Sequence, residues 1–281
     1  MKKVAILTDS SAYLPDDILQ SLDIHVVPLT LHWDGESYYD GVDIQAEAFY
    51  DRLANSNTIP TTSQVTVSEF DQVFKDLLEK DFAVLALLIS SGISGTVESA
   101  MKSLENFPGA PLVVMDSRLV SMALGFMVMA AARAAQEGAN LAECQALAEA
   151  VYPKIGVYFT VDTLKYLNKG GRINTAKRLL GSALNIKPLL EIRDGKIELV
   201  ESVISRKKAM NRMLTLVEQG IAGREPVRIS TFHAAAPEDN AALMRSAEAQ
   251  FSPVETVTTF VSPVVGSHTG PGTLSLAYMA G

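Results

Sequence analysis

The chain has a single cysteine, Cys144, so neither an internal disulfide nor a multi-cysteine zinc site is available to it. That usage fits a reducing, cytoplasmic setting. Basic residues are also short: 24 Lys and Arg stand against 32 Asp and Glu. The resulting charge of −8 argues against a general nucleic-acid binder, whose phosphate contacts need clustered cations. There are four histidines, and neither His25 nor His32 has a second metal-type residue at helical spacing, so no metal site is expected. No apolar run suits a membrane. The longest weakly polar stretch, Leu119 to Ala132, is bounded by Arg118 and Arg133 and broken by Ser121 and Gly125, whereas a span needs about 20 residues. The apolar start, Val4 to Leu7, stops at Thr8-Asp9-Ser10; it is too short for a signal-peptide core and reads as a first strand. Neither a Walker loop nor a Gly-x-Gly-x-x-Gly turn follows a strand, which leaves a nucleotide enzyme without support.

What is present is ample core. Hydrophobic residues make up 48% of 281, enough for two packed domains. The run Ala83 to Ile89 reads as a buried parallel strand, and the helical segment Val97 to Asn106 follows it. Between them lies Ser90-Ser91-Gly92-Ile93-Ser94-Gly95-Thr96. A strand-to-helix turn at the carboxyl end of a central strand is where open α/β sheets bind ligands, and helix amides there favour an anion. Hydroxyls in such a turn extend the cradle; the same residues also serve as plain helix caps.

Other polar turns accompany it. Thr8-Asp9-Ser10 and Asp116-Ser117 both follow strands, with ordinary turn chemistry as the alternative to a site. Leu29 to Val42 reads as an irregular excursion anchored by Trp33, Tyr38 and Tyr39, and Pro60 to Gln64 as a hydroxyl-rich loop. Thr66-Val67-Ser68-Glu69 and Asn140-Leu141-Ala142-Glu143 have capping-box spacing. Leu119 to Glu137 is a helix, and its Met- and Leu-rich stretch Leu119 to Ala132 is a candidate cavity wall or simply core.

The character changes near Pro153, which places an N-terminal parallel-sheet α/β domain at 1–155 and a C-terminal α+β domain at 156–281. Lys169-Gly170-Gly171-Arg172 permits a sharp reversal beside a basic residue, and Asn174 is placed to cap a helix to about Leu184. Ile186 to Ile192 and Lys196 to Val203 alternate about Asp194-Gly195, a hairpin pattern. A helix over Arg206 to Gln219 and further strands and a helix lead to Gly266-Ser267-His268-Thr269-Gly270-Pro271-Gly272-Thr273. That segment reads as a rigid loop carrying His268.

Seven of these motifs, in this order, make the chain resemble the DegV family along nearly its whole length: Thr8-Asp9-Ser10, Thr62-Ser63-Gln64, Ser91 to Thr96, Asp116-Ser117, Lys169-Gly170-Gly171-Arg172-Ile173, Leu184-Asn185-Ile186-Lys187-Pro188 and His268-Thr269-Gly270-Pro271-Gly272. The resemblance implies a two-domain bacterial lipid-binding protein that is not itself a catalyst and needs no cofactor. It would hold one long-chain fatty acid in a tunnel between the domains and present the carboxylate to a separate fatty acid kinase, which makes an acyl phosphate. The family's carboxylate contacts fall on Thr62 and Ser94, with His268 beside the head group; hydroxyl donors and a histidine that can be cationic suit a carboxylate. Arg172 is a candidate partner contact. One position departs: where the family commonly has an arginine linked to kinase engagement, this chain has Ile204. The alternative is a serine hydrolase or acyltransferase using Ser94 and His268 with Asp9 or Asp116. The Gly-x-Ser-x-Gly elbow fails at Thr96.

Overall fold

The computed structural model describes residues 2–181 and 186–281. Leu184 and Asn185 of the sixth motif lie outside them. The first half runs β1 (Val4–Asp9), α1 (Asp16–Ser21), β2 (Ile24–Val27), β3 (Thr30–Trp33), β4 (Glu36–Tyr39), α2 (Ala46–Ala54), β5 (Thr61–Ser63), α3 (Val67–Glu79) and β6 (Ala83–Leu88). It continues with α4 (Thr96–Leu104), β7 (Leu112–Asp116), α5 (Ser121–Gln136) and α6 (Leu141–Val151). The second half begins with β8 (Ile155–Thr160), α7 (Lys165–Lys169), β9 (Lys187–Arg193), β10 (Lys196–Val203) and α8 (Arg206–Ile221). It ends with β11 (Val227–His233), α9 (Pro237–Phe251), β12 (Glu255–Phe260), α10 (Pro263–Thr269) and β13 (Leu274–Ala280).

The fold is mixed α/β, with a parallel-sheet unit and a second, sheet-rich unit. The first sheet has the order β2-β1-β6-β7 and is parallel throughout. All six residues of β6 are buried, as an unbroken apolar run between two helical layers requires. Because β2 lies on one side of β1 and β6 on the other, the sheet has a switch point between β1 and β6, where a crevice opens at the carboxyl ends. Both capping boxes form, at Thr66 with Glu69 and at Asn140 with Glu143.

The second sheet has the order β10-β9-β8-β13-β11-β12, antiparallel except between β11 and β12. The hairpin at Asp194-Gly195 has φ of 48° and 77°, the positive pair that matches strand twist. Helix α5 packs against strands of both sheets. Eleven of its residues are buried, so its all-round apolarity reflects a core shared by two layers. Of the stretch Leu119 to Ala132, a candidate cavity wall, Val120 lines both cavities described below and Ser121 the smaller one, while its methionines are buried in the core. Across this junction Arg133 of α5 forks onto Glu255 of β12 at 3.0 and 2.5 Å, and Arg228 adds a bond at 3.1 Å. Glu255→Ala leaves both guanidiniums without that partner. Since the groups are partly exposed, the expected loss is about 1 kcal/mol, read as a melting temperature lower by a few degrees; an unchanged melting curve would deny the bridge any weight.

Three readings are corrected. Leu29 to Val42 and Thr61 to Ser63 are not irregular: β4, β3 and β5 form a small antiparallel sheet. Strands of three or four residues are too short to display a pattern. The helix read from Asn174 is, over Asn174–Leu179, a 3₁₀ segment, and Asn174 lies inside it with φ of 39°. The C-terminal glycine-rich segment is the helix α10 followed by a turn, and β13 beyond it, fully buried, lies in the middle of the second sheet. Covered on both faces, β13 shows no alternation to read.

Candidate functional site

The central turn is braced from two sides. Ser90 Oγ donates to the Gly195 carbonyl at 2.7 Å, which seats the β9–β10 turn on it, and Ser91 Oγ donates to Asp116 Oδ2 at 2.5 Å. A Cβ on Gly95 would lie 2.0 Å from Gln64 Oε1, so glycine there lets the Gln64 side chain cross the turn. Gln64 continues to Ser99 Oγ at 2.8 Å. Ser94 is left with its hydroxyl 2.9 Å from that of Thr96, facing a cavity.

That cavity, about 270 Å³, lies at the carboxyl edge of the first sheet and takes walls from both halves of the chain. Its polar lining includes Thr62, Gln64, Ser94, Arg172 and His268, and Leu29, Ile89 and Val264 are among its apolar lining. Val120, Ile197, Val265 and Thr269 are shared with a smaller cavity of about 40 Å³. Phe159, Phe232, Val157 and Ile192 give this second chamber an apolar wall. The two cavities adjoin across these shared residues, one with a partly polar lining and the other mostly apolar, the usual composition of a small-molecule pocket.

Thr62 on β5 and His268 on α10 meet directly: Thr62 Oγ1 is 2.8 Å from His268 Nε2. Ser94 and Arg172 share the cavity with them. His268 Nδ1 is buried and has no hydrogen-bond partner. An unpaired lone pair is cheaper to bury than an unpaired N–H, so the favoured tautomer carries its proton on Nε2 and donates it to Thr62. The Thr62 hydroxyl hydrogen then points elsewhere, available to an acceptor in the cavity. Burial, with the Arg172 cation as the second cause, lowers His268 to about 4. In the ligand-free protein desolvation thus favours the neutral ring at pH 7. Arg172 donates from Nε to the Ile93 carbonyl at 3.1 Å and also to the Gly170 carbonyl, so it belongs to the cavity wall.

A Cβ on Gly170 would stand 2.0 Å from His268 Nδ1. Gly170→Ala should therefore displace the imidazole and break its contact with Thr62 while leaving the backbone, whose φ there is −76°, undisturbed. The chemical shift of the His268 ring nitrogens checks this; an unshifted resonance would mean that the glycine is not needed for the ring.

The two Asp-Ser pairs serve the scaffold. Asp9 Oδ2 accepts from Ile89 N–H at 2.7 Å across the switch point, and Asp9 Oδ1 accepts from Ser11 N–H and Oγ. Asp116 Oδ1 accepts from Ser91 and Arg118 N–H. Neither carboxylate bonds His268, and Ser94 bonds Thr96, so no Ser-His-Asp relay is assembled. Among the described residues no group of three or more His, Cys, Asp or Glu is placed to hold a metal, and no helix is long and apolar enough to cross a membrane. Residue reading did not single out Gln64, Ile197 or Val265, whereas Val120 falls within the stretch read as a candidate wall. Of those three, only Gln64 had a signal, its place in a quoted motif.

Comparison with known proteins adds the following. A family model described as an uncharacterised protein of the DegV family matches residues 3–281. A DegV domain-containing protein of Listeria innocua is 36% identical over 278 residues, covering 99% of this chain and 98% of the relative. Among solved structures, a fatty-acid-binding DegV family protein from Thermus thermophilus superposes with a TM-score of 0.93 at 32% identity, covering all of both chains. DegV of Bacillus subtilis, described as a fatty acid binding protein, gives 0.91 at 30% identity, again over both full chains.

Proposed function

The chain belongs to the DegV family, and on that premise we propose that it binds one long-chain fatty acid, with the carboxylate at Thr62, Ser94 and His268 and the tail passing the Val120–Val265 neck into the apolar chamber. The observation that carries this is the Thr62–His268 pair lining a cavity that shares four wall residues with a smaller, mostly apolar one. Fatty acid binding by the Thermus and Bacillus proteins supports it. The energetics divide accordingly. A sixteen-carbon tail has about 14 methylenes at about 0.8 kcal/mol each, on the order of 11 kcal/mol before ordering costs. Two or three hydrogen bonds to a charged group, at about 1.5 to 3 kcal/mol each, come second and orient the ligand. With a neutral His268, the donors toward the carboxylate are the Thr62 and Ser94 hydroxyls, beside the Arg172 charge. Native and denaturing mass spectrometry of the purified protein tests the reading. A stoichiometric fatty acid is expected, and a protein that is empty and refuses added fatty acid would defeat it.

Hand-over of the bound acid to a fatty acid kinase is the partner step this reading entails. Ile204, 71% exposed, presents an apolar surface where the family commonly carries a cation. Wild-type protein should support acyl-phosphate formation by such a kinase poorly, and Ile204→Arg should raise the rate; a normal rate in the wild type would remove any role for this position.

A further inference from the structure

Asp40, immediately after β4, is buried at 2% exposure and accepts hydrogen bonds from two directions. Ser10 Oγ donates to its Oδ2 at 2.7 Å, and the backbone N–H of Val264 donates to its Oδ1 at 3.1 Å. Val264 is the second residue of α10, the helix that carries His268. On the other side, the Asp40 N–H donates to the Leu29 carbonyl at 2.9 Å, and the Leu29 N–H donates to Ser10 Oγ at 3.1 Å. Leu29 lines the polar cavity and leads into β3, where Leu31 is paired with Thr62 of β5. One carboxyl group thus joins the strands that present Thr62 to the helix that presents His268, the two partners of the 2.8 Å contact.

We propose that Asp40 is a positioning residue of the head-group site: its carboxylate sets the distance between β5 and α10 at which Thr62 meets His268, and loss of its negative charge loosens that contact and weakens carboxylate binding. The binding half rests on the fatty acid reading above; the positioning half does not. The surroundings make the charge labile. Burial, with the Asp9 carboxylate, itself raised by burial, adding repulsion, pushes Asp40 up to about 6, against opposing bonds from Ser10, Val264 and the Ser262 hydroxyl. The other titratable groups that sense Asp40 are Tyr13 and the Tyr50 phenol on α2, both held well above their usual range by burial, so neither competes near neutrality. The sign follows directly. Above about pH 6 the carboxylate is charged and charge-assisted bonds hold α10; below it the acceptor is neutral and those bonds are roughly halved in strength.

Asp40→Asn keeps the shape and removes the titration. In ligand-free protein labelled at histidine nitrogens, the wild-type His268 Nε2 resonance should move as pH falls through about 6, well above the ring's own protonation near 4. In Asp40→Asn that step should vanish. Palmitate affinity at pH 7.5 should fall about tenfold, the worth of roughly one charge-assisted bond, and the melting temperature should not fall. An Asp whose folded pKa is raised costs stability as pH rises through that value, so removing the charge relieves the fold. Ser10→Ala, which deletes one donor, should move the wild-type step to higher pH. An unmoved His268 resonance in all variants overturns the proposal, as does weaker binding accompanied by a lowered melting temperature. A wild type that shows the resonance step but binds no palmitate would sink the fatty acid reading alone.

Discussion

Val265→Trp should abolish retention of a sixteen-carbon fatty acid while leaving an eight-carbon acid bound as in the wild type. Val265 lines both cavities and is only partly buried. An indole there fills the passage and need not force the surrounding core apart, in contrast to overpacking at a closed site. Each methylene denied its place in the inner chamber loses about 0.8 kcal/mol, so exclusion of only three reduces affinity about fiftyfold. The short acid serves as the internal control, because Val265 lies one helical turn from His268 and a disturbed imidazole would weaken both ligands alike. Calorimetry with octanoate and palmitate separates the cases. Equal loss for the two acids would place the defect at the head group, and no loss for palmitate would mean that the tail takes another route.

How much of this could be read from residues alone follows from where the signals lie. The fully buried β6, the β9–β10 hairpin and the two capping boxes are local features, and each stands where its pattern placed it. The elements misread are those whose identity depends on distant partners. Three-residue β5 is a strand only because β3 lies beside it, and β13, unread from sequence, is apolar on both faces because helices α8 and α9 cover one side and α5 the other. Thr62, Ser94 and His268 were reachable through family motifs, but residue by residue each looked like turn or cap chemistry, and the meeting of Thr62 with His268 spans 206 positions of sequence. The neck residues Val120, Ile197 and Val265 come one at a time from different elements, each an ordinary apolar side chain. Asp40 carried no motif at all. The proton affinity of His268 was hidden for a related reason: only its burial on α10 beside Arg172 lowers it.

Thr62→Val should cost more than any other single-residue change at the polar end. The substitution keeps the volume and the β-branch that suit β5, so the strand itself is not disturbed. Two losses then add. A hydroxyl that donates to the ligand carboxylate disappears, worth about 1.5 to 3 kcal/mol for a charged acceptor. His268 Nε2 also loses its partner, and with Nδ1 already unpaired the buried ring has none, at a further cost of about 1 to 3 kcal/mol when the ligand seals the cavity. Together these correspond to roughly a hundredfold weaker palmitate binding or more. The variant should discriminate by head group: the first loss falls on the carboxylate alone, so the methyl ester of the same acid should be affected much less. Competition binding with palmitate and methyl palmitate gives the comparison. Parallel losses for acid and ester would mean that Thr62 shapes the cavity without addressing the charge, and the polar mouth would then rest on Ser94 and Arg172.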